Sequence, residues 1–221
     1  MTVSTKDLVK VYGSGETRVT ALDGVTLDFR TAELTAIMGP SGSGKSTLMH
    51  CLAGLDTATS GSVRLGDTEL TGLPDKQLTL LRRERVGFVF QSFNLLPALT
   101  AEQNIRLPLD LAGRRADPAL WNHVIGRLGI ASRLGHRPGE MSGGQQQRVA
   151  CARALITQPD VIFADEPTGN LDSASGAEVL AFLRASVREL GQTVIMVTHD
   201  QVAASYADRV VTLADGRVTR C

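Results

Sequence analysis

Cysteine is nearly absent: Cys51, Cys151 and Cys221 are the only three in 221 residues. The number is odd and there is no C-x-x-C pair, so neither a disulfide framework nor a zinc site is indicated. A reducing compartment is expected. An excess of one charge is missing as well. Lys+Arg is 23 and Asp+Glu is 23, which makes the formal net charge zero. The chain therefore lacks the basic footprint of a dedicated duplex-DNA binder, and no nucleic-acid partner is expected. No apolar run approaches the roughly 20 residues that a membrane span needs. The longest uncharged stretch, Val86 to Ala101, is interrupted by Gln91, Ser92, Asn94 and Pro97. Any membrane role must come through a partner chain. Met1 to Asp7 has no apolar h-region, so no secretory signal is expected. Lysine is scarce too: only Lys6, Lys10, Lys45 and Lys76 occur, and the remaining positive charge is arginine.

What is present is ordinary globular composition, with 43% hydrophobic and 21% charged residues. The length suits one large domain with a single substantial core. Val19 to Phe29 alternates in the manner of a strand, with Gly24 as a turn. Leu34–Met38, Val86–Phe90, Val161–Ala164 and Thr193–Val197 are short apolar runs of the kind that form buried strands. Ser46–Ala53 and Ser173–Leu190 read as helices closed by Gly54 and Gly191. Thr100 with Gln103, and Asp117 before Pro118, are helix starts. Asp215-Gly216 is a hairpin turn. Strands thus alternate with helices at both ends of the chain, and residues 93–156 are mainly helical. The expectation is an α/β fold: a mostly parallel sheet with flanking helices, an N-terminal antiparallel β region and an inserted α-helical subdomain.

Gly39-Pro40-Ser41-Gly42-Ser43-Gly44-Lys45-Ser46-Thr47 matches G-x-x-x-x-G-K-[ST], after a buried strand and before a helix. Triphosphate oxygens need many short-range donors. Glycines let backbone N–H groups turn inward, and the helix start favours the anion. Lys45 supplies charge for the β- and γ-phosphates, and the Ser46 hydroxyl is placed to ligate Mg²⁺. Asp165 and Glu166 end an apolar strand. In a phosphate-loop enzyme, the first carboxylate holds the metal and the second can orient and deprotonate water. Ser142-Gly143-Gly144-Gln145 has capping-box spacing and two glycines in a first helical turn, which makes a second anion site.

With these motifs together the sequence resembles the ATP-binding subunits of ABC transporters over nearly its whole length. Residues 39–47 match the family's Walker A loop, Gln91 its Q-loop glutamine, and Ser142 to Gln145 its signature, with Met141 where leucine is usual. Asp165 and Glu166 match Walker B and the catalytic glutamate, Asn170-Leu171-Asp172 the D-loop, and His199 the switch histidine. Tyr12 sits where an adenine-stacking aromatic is found. Residues 165–172, 91–97 and 100–104 look most like the macrolide-export and lipoprotein-release group, and related text occurs in a cell-division ATPase. The resemblance implies a P-loop NTPase core over residues 1–91 and 157–221 and a helical signature subdomain over 92–156. It implies ATP and Mg²⁺ as ligands, the ion held by Ser46, Gln91 and Asp165. Glu166, His199 and Lys45 would be catalytic. A head-to-tail homodimer would close Ser142 to Gln145 of one copy over ATP on the other. A separate permease would hold the chain at the inner face of the cell membrane.

Phe93, Leu95, Leu96, Leu99, Ile105 and Leu107 crowd near Gln91 and suggest a groove for a short helix of that permease. His50, His123 and His136 read as structural or surface residues. The function expected is a motor subunit of export type, with a non-transporting regulatory ATPase of cell-division type as the alternative.

Overall fold

In the computed structural model, which describes residues 2–221, the chain folds into two sheets and a set of helices. A four-stranded antiparallel sheet has the order β2-β1-β4-β5, from β1 (Val3–Tyr12), β2 (Val19–Phe29), β4 (Ser60–Leu65) and β5 (Thr68–Glu69). A six-stranded sheet has the order β10-β9-β3-β8-β7-β6. Its strands are β3 (Leu34–Met38), β6 (Val86–Phe90), β7 (Val161–Asp165), β8 (Val194–Val197), β9 (Arg209–Ala214) and β10 (Arg217–Arg220). All of its pairings are parallel except the β9–β10 hairpin. The helices are α1 (Lys45–Leu52), α2 (Asp75–Arg85), α3 (Ala101–Leu111), α4 (Pro118–Leu128), α5 (Gly143–Leu155), α6 (Ser173–Leu190) and α7 (Gln201–Ala204).

The central strands explain the uninterrupted apolar runs. Every residue of β3 and β8 is buried, because both faces of the sheet are covered. Their side chains divide with period 2. Ile37, Phe163, Ile195 and Val197 pack with α1 and the antiparallel sheet. Leu34, Ala36, Ile162, Ala164, Val194 and Met196 pack with the helices on the other side. Apolar residues of α3, α4 and α5 belong to that same cluster, so the expected helical subdomain has no separate core. Cys51 and Cys151 are buried and unpaired.

Parallel register sets up the site. Ile37 lies beside Val197, Val197 beside Asp165, and Asp165 beside Phe90. The strands run the same way, so the segments after them, starting at Gly39, Thr198, Glu166 and Gln91, leave one edge of the sheet together. That edge is where open α/β sheets bind ligands.

The structure corrects one expectation locally. Gly24 does not turn the chain. Strand β2 runs through it, and the register to β1 slips between Leu22 and Val25, which marks a bulge. The sequence suggests no element for residues 55–81, and only a solvated helix end at 82–85, which is the last turn of α2. There β4 has only Val63 and Leu65 buried, and α2 only Leu78, so neither shows a marked apolar pattern.

Candidate nucleotide site

The loop at 39–47 is held open by backbone. A Cβ at Gly39 (φ +149°) would lie 2.1 Å from the Leu213 carbonyl oxygen, and one at Gly44 (φ +98°) 2.4 Å from that of Ala21. Only glycine fits at either position. The loop thereby beds against β2 and β9, with the Ser43 N–H donating to the Pro40 carbonyl at 3.2 Å. Lys45 opens α1 and donates to the Gly39 and Pro40 carbonyls at 2.9 and 2.8 Å. The Ser43 hydroxyl is buried without a partner. A cleft of about 620 Å³ lies over this loop. Besides the loop, it is walled by Val19, Thr20, Ala21, Val197, Glu166 and His199. Glycine amides, an ammonium and a helix start along one wall suit a polyphosphate.

Glu166 and His199 bring acid–base groups to this cleft, and Asp165 precedes Glu166 in the chain without itself lining it. Asp165 is half-buried at the end of β7. Burial raises its carboxyl above the ordinary value, and the Glu166 charge adds to this, while His50 and Lys45 pull it back. His50 thus belongs near the site, although the sequence reading set it aside. Its spacing of four from Ser46 on α1 was the available signal. Glu166 adopts φ +45°, a left-handed conformation that costs a non-glycine residue about 1–2 kcal/mol. Its N–H donates to the Val197 carbonyl at 2.9 Å. Its Oε1 meets His199 Nδ1 at 2.7 Å, and the Thr198 hydroxyl donates to Oε2 at 3.4 Å. The hydrogen bond and charge of Glu166 raise the His199 pKa above 6.5. A carboxylate fixed at both oxygens beside a phosphate cradle can orient water and accept its proton.

Gln91 follows β6 and points to the D-loop, its side-chain amide donating to Asn170 Oδ1 at 3.3 Å. Asn170 returns a bond to the Gln91 carbonyl at 3.0 Å. Helix α5 holds the same region from beneath. Gln147 donates to the Phe90 and Pro167 carbonyls. Arg153 forks onto the carbonyls of Phe93 and Asn94 at 2.9 and 2.6 Å, two consecutive residues with positive φ. Arg153 also borders an apolar groove of about 450 Å³ with Leu55, Phe88, Leu107, Pro108 and Leu111. Of the six apolar residues expected at such a groove, only Leu107 lines it. Ile105 is wholly buried in the core, and Leu95 packs against that core.

Ser142 caps α5, accepting from the Gln145 N–H at 3.3 Å while Gln145 Oε1 accepts from the Ser142 N–H at 3.0 Å. Ser142, Gly143, Gly144 and Gln145 are not among the residues lining the cleft, nor are Gln91 and Tyr12. Tyr12 ends β1, 42% exposed, with its hydroxyl donating to Asp56 Oδ2 at 2.6 Å. One chain therefore brings together residues 39–47, Glu166 and His199, and leaves the signature segment apart from them.

A mostly parallel sheet with a glycine-rich phosphate loop after its central strand, and a carboxylate pair after a neighbouring one, defines a P-loop nucleotide-binding protein. Comparison with known proteins narrows the class. Residues 22–169 match the ABC transporter family, and the chain belongs to that family. The match takes in the phosphate loop, Gln91, the signature and the acidic pair; Tyr12 and His199 lie outside it. The chain is 50% identical over 214 residues to the lipoprotein-releasing system ATP-binding protein LolD of Geobacter metallireducens, covering 96% of this chain and 95% of that one. It is 48% identical over 218 residues to the macrolide export ATP-binding/permease protein MacB of Neisseria meningitidis serogroup B, covering 98% of this chain. It spans only 34% of that longer protein. Among solved structures it resembles the ATP-binding cassette MJ0796, a dimer in a post-hydrolysis state with ADP and phosphate. The TM-score is 0.88 at 41% identity, over 99% of this chain and 97% of that one. Membership makes this chain an ATP-hydrolysing cassette.

Proposed function

We propose that this chain is the motor subunit of a membrane transporter of export or extraction type, acting on a permease that is a separate chain. The observation that carries the reading is the cleft itself, lined by both the phosphate loop and the Glu166–His199 pair. ATP lies along residues 39–47, with Lys45 at its terminal phosphates and the adenine against Tyr12. The donor set fits Mg²⁺, a hard cation that takes oxygen ligands, commonly one or two carboxylates with phosphate and water completing the shell. Asp165 and Ser46 would hold it, with Gln91 reaching in from the neighbouring loop. Held by these residues, Mg²⁺ would supply neutralisation of the phosphate charge. Glu166 orients the attacking water and takes its proton. His199 and Lys45 stabilise charge on the transferred group. Ser142 to Gln145 of a second copy close over the nucleotide, which explains why these residues stand apart from the cleft of their own chain. The apolar groove between α2, β6 and α3 receives a short helix of the permease, and Arg153 links that groove to the segment after Gln91. The chain would then sit at the cytoplasmic face of the membrane through its partner.

Glu166→Gln tests the reading. The variant should bind ATP, form an ATP-dependent dimer in size-exclusion chromatography, and lose turnover by about 10²-fold or more. Near-normal turnover sinks the role of Glu166. Pull-down of this form from solubilised membranes with ATP should recover a multi-span protein. Recovery of soluble proteins alone overturns the transporter assignment.

A further inference from the structure

Lys10 is an unusual core residue: a lysine only 8% exposed, in a chain that has few. Its Nζ donates to Asp56 Oδ1 at 2.6 Å and to the Thr57 carbonyl at 2.7 Å. A partly buried ion pair is weak evidence for stability, because its desolvation opposes its attraction. Its geometry suggests another use. The second oxygen of Asp56 accepts from the Tyr12 hydroxyl at 2.6 Å. The Lys10 ammonium also stands over the Tyr12 ring, 4.7 Å from its centroid. Lys10 and Tyr12 are two apart on β1 and so share a face. One face of the ring is covered by the cation, and the hydroxyl is fixed. Yet Tyr12 is 42% exposed, so the uncovered face is the one open to solvent. Asp56 is itself tied to α1, its N–H donating to the His50 carbonyl at 3.2 Å. The other end of α1 is the phosphate loop, and the Thr47 hydroxyl lies beside the same phenol. The ring is therefore set by the helix that carries the triphosphate site.

We propose that Asp56, held by Lys10, is a positioning residue for nucleotide recognition: it fixes Tyr12 so that the open face of the ring meets the base of the nucleotide whose phosphates lie on residues 39–47. The inference rests on the stacking role given to Tyr12 above. Its physical content is preorganisation. A tyrosine already held at its hydroxyl and on one face loses little freedom when the base arrives.

The test compares two ligands that share phosphates but differ in the base. Binding of ATP and of inorganic tripolyphosphate is measured by titration calorimetry on the wild type and on Tyr12→Phe, Asp56→Asn, the double variant and Tyr12→Ala. Tyr12→Phe removes only the hydroxyl at an exposed position and leaves the Lys10–Asp56 pair intact. It decides the matter even if Asp56→Asn fails to fold. Tyr12→Phe and Asp56→Asn should each weaken ATP about three- to tenfold. Tripolyphosphate should bind all variants equally, and the double variant should be no worse than either single one. Wild-type ATP affinity in Tyr12→Phe overturns the inference while leaving stacking intact, provided Tyr12→Ala still weakens ATP. No loss of ATP affinity in Tyr12→Ala removes the stacking role itself. Equal loss of ATP and tripolyphosphate in Tyr12→Phe means a merely structural network and also overturns the inference.

Discussion

The starts of α1 and α5 both offer glycines, backbone amides and a hydroxyl at a helix N-terminus, but they are bedded differently. Before α1, Gly39 and Gly44 press against carbonyls of β9 and β2, and Lys45 is tied to the loop it serves. Glu166 and His199 line one cleft with that loop. At α5, Ser142 is exposed, and a Cβ at Gly143 would meet nothing closer than a Phe93 ring atom at 3.5 Å. One anion site is finished by its own chain. The other is a capped helix end outside that cleft, with Gly144 packed against Ser175, and in the proposed function it serves the nucleotide of a second molecule.

Two glycine substitutions make the sharpest contrast. Gly39→Ala places a methyl inside bonding distance of a backbone oxygen that cannot swing away, so it should destabilise by about 3 kcal/mol and abolish ATP binding. Gly143→Ala meets only ordinary contact and should leave melting temperature and monomer ATP binding near wild type. Hydrolysis should nevertheless fall if, as proposed, the nucleotide of a second copy closes on that face. Thermal melts, calorimetry and phosphate release on both variants check this. Equal damage from the two would erase the comparison.

Ser142→Ala should have a smaller effect on the fold and a selective one on turnover. It removes the oxygen that accepts from the Gln145 N–H, and loss of such a cap costs about 1 kcal/mol. Monomer ATP binding should persist while dimer-dependent hydrolysis drops. Loss of ATP binding by the monomer would place Ser142 in its own chain's site and reverse the cross-subunit assignment.

Much of this is legible in the sequence alone, and the reasons are local. Strands β3, β7 and β8 are covered on both faces, so their sequences are nearly pure hydrocarbon. The capping boxes at Thr100 and Ser142 form as spaced. The placement of the phosphate loop and Glu166 is legible because each directly follows a buried strand and parallel register brings strand ends together, whereas His199 stands out only through the family resemblance. What escaped depends on long-range placement. Asp56 lies 44 residues from the hydroxyl it accepts from. The apolar groove draws on α2 and β6 as well as α3, which no single window of sequence shows. Gly24 misled because a glycine inside an alternating run suits a bulge as well as a turn.

The smallest effect expected is in the titration of His199, on the finished side of the comparison. Its hydrogen bond to Glu166, and the charge of that carboxylate, raise its pKa above the ordinary 6.5. A histidine whose folded pKa is raised stabilises the fold fully below the unfolded pKa, and loses that contribution as pH rises through the folded value. The ion pair should therefore add stability below about pH 6.5 and fade above it. The gain should be slight, since the His199 side chain is 75% exposed and salt screens it. NMR of the imidazole protons, assigned with His199→Gln, should place the midpoint above 6.5. Glu166→Gln should return it towards 6.5. A midpoint that ignores Glu166→Gln would show that the pair does not persist in solution, and would leave the catalytic wall of the cleft as loosely set as the signature face. Ser142→Ala should leave the titration unchanged, because in the isolated chain nothing at the start of α5 touches the pair.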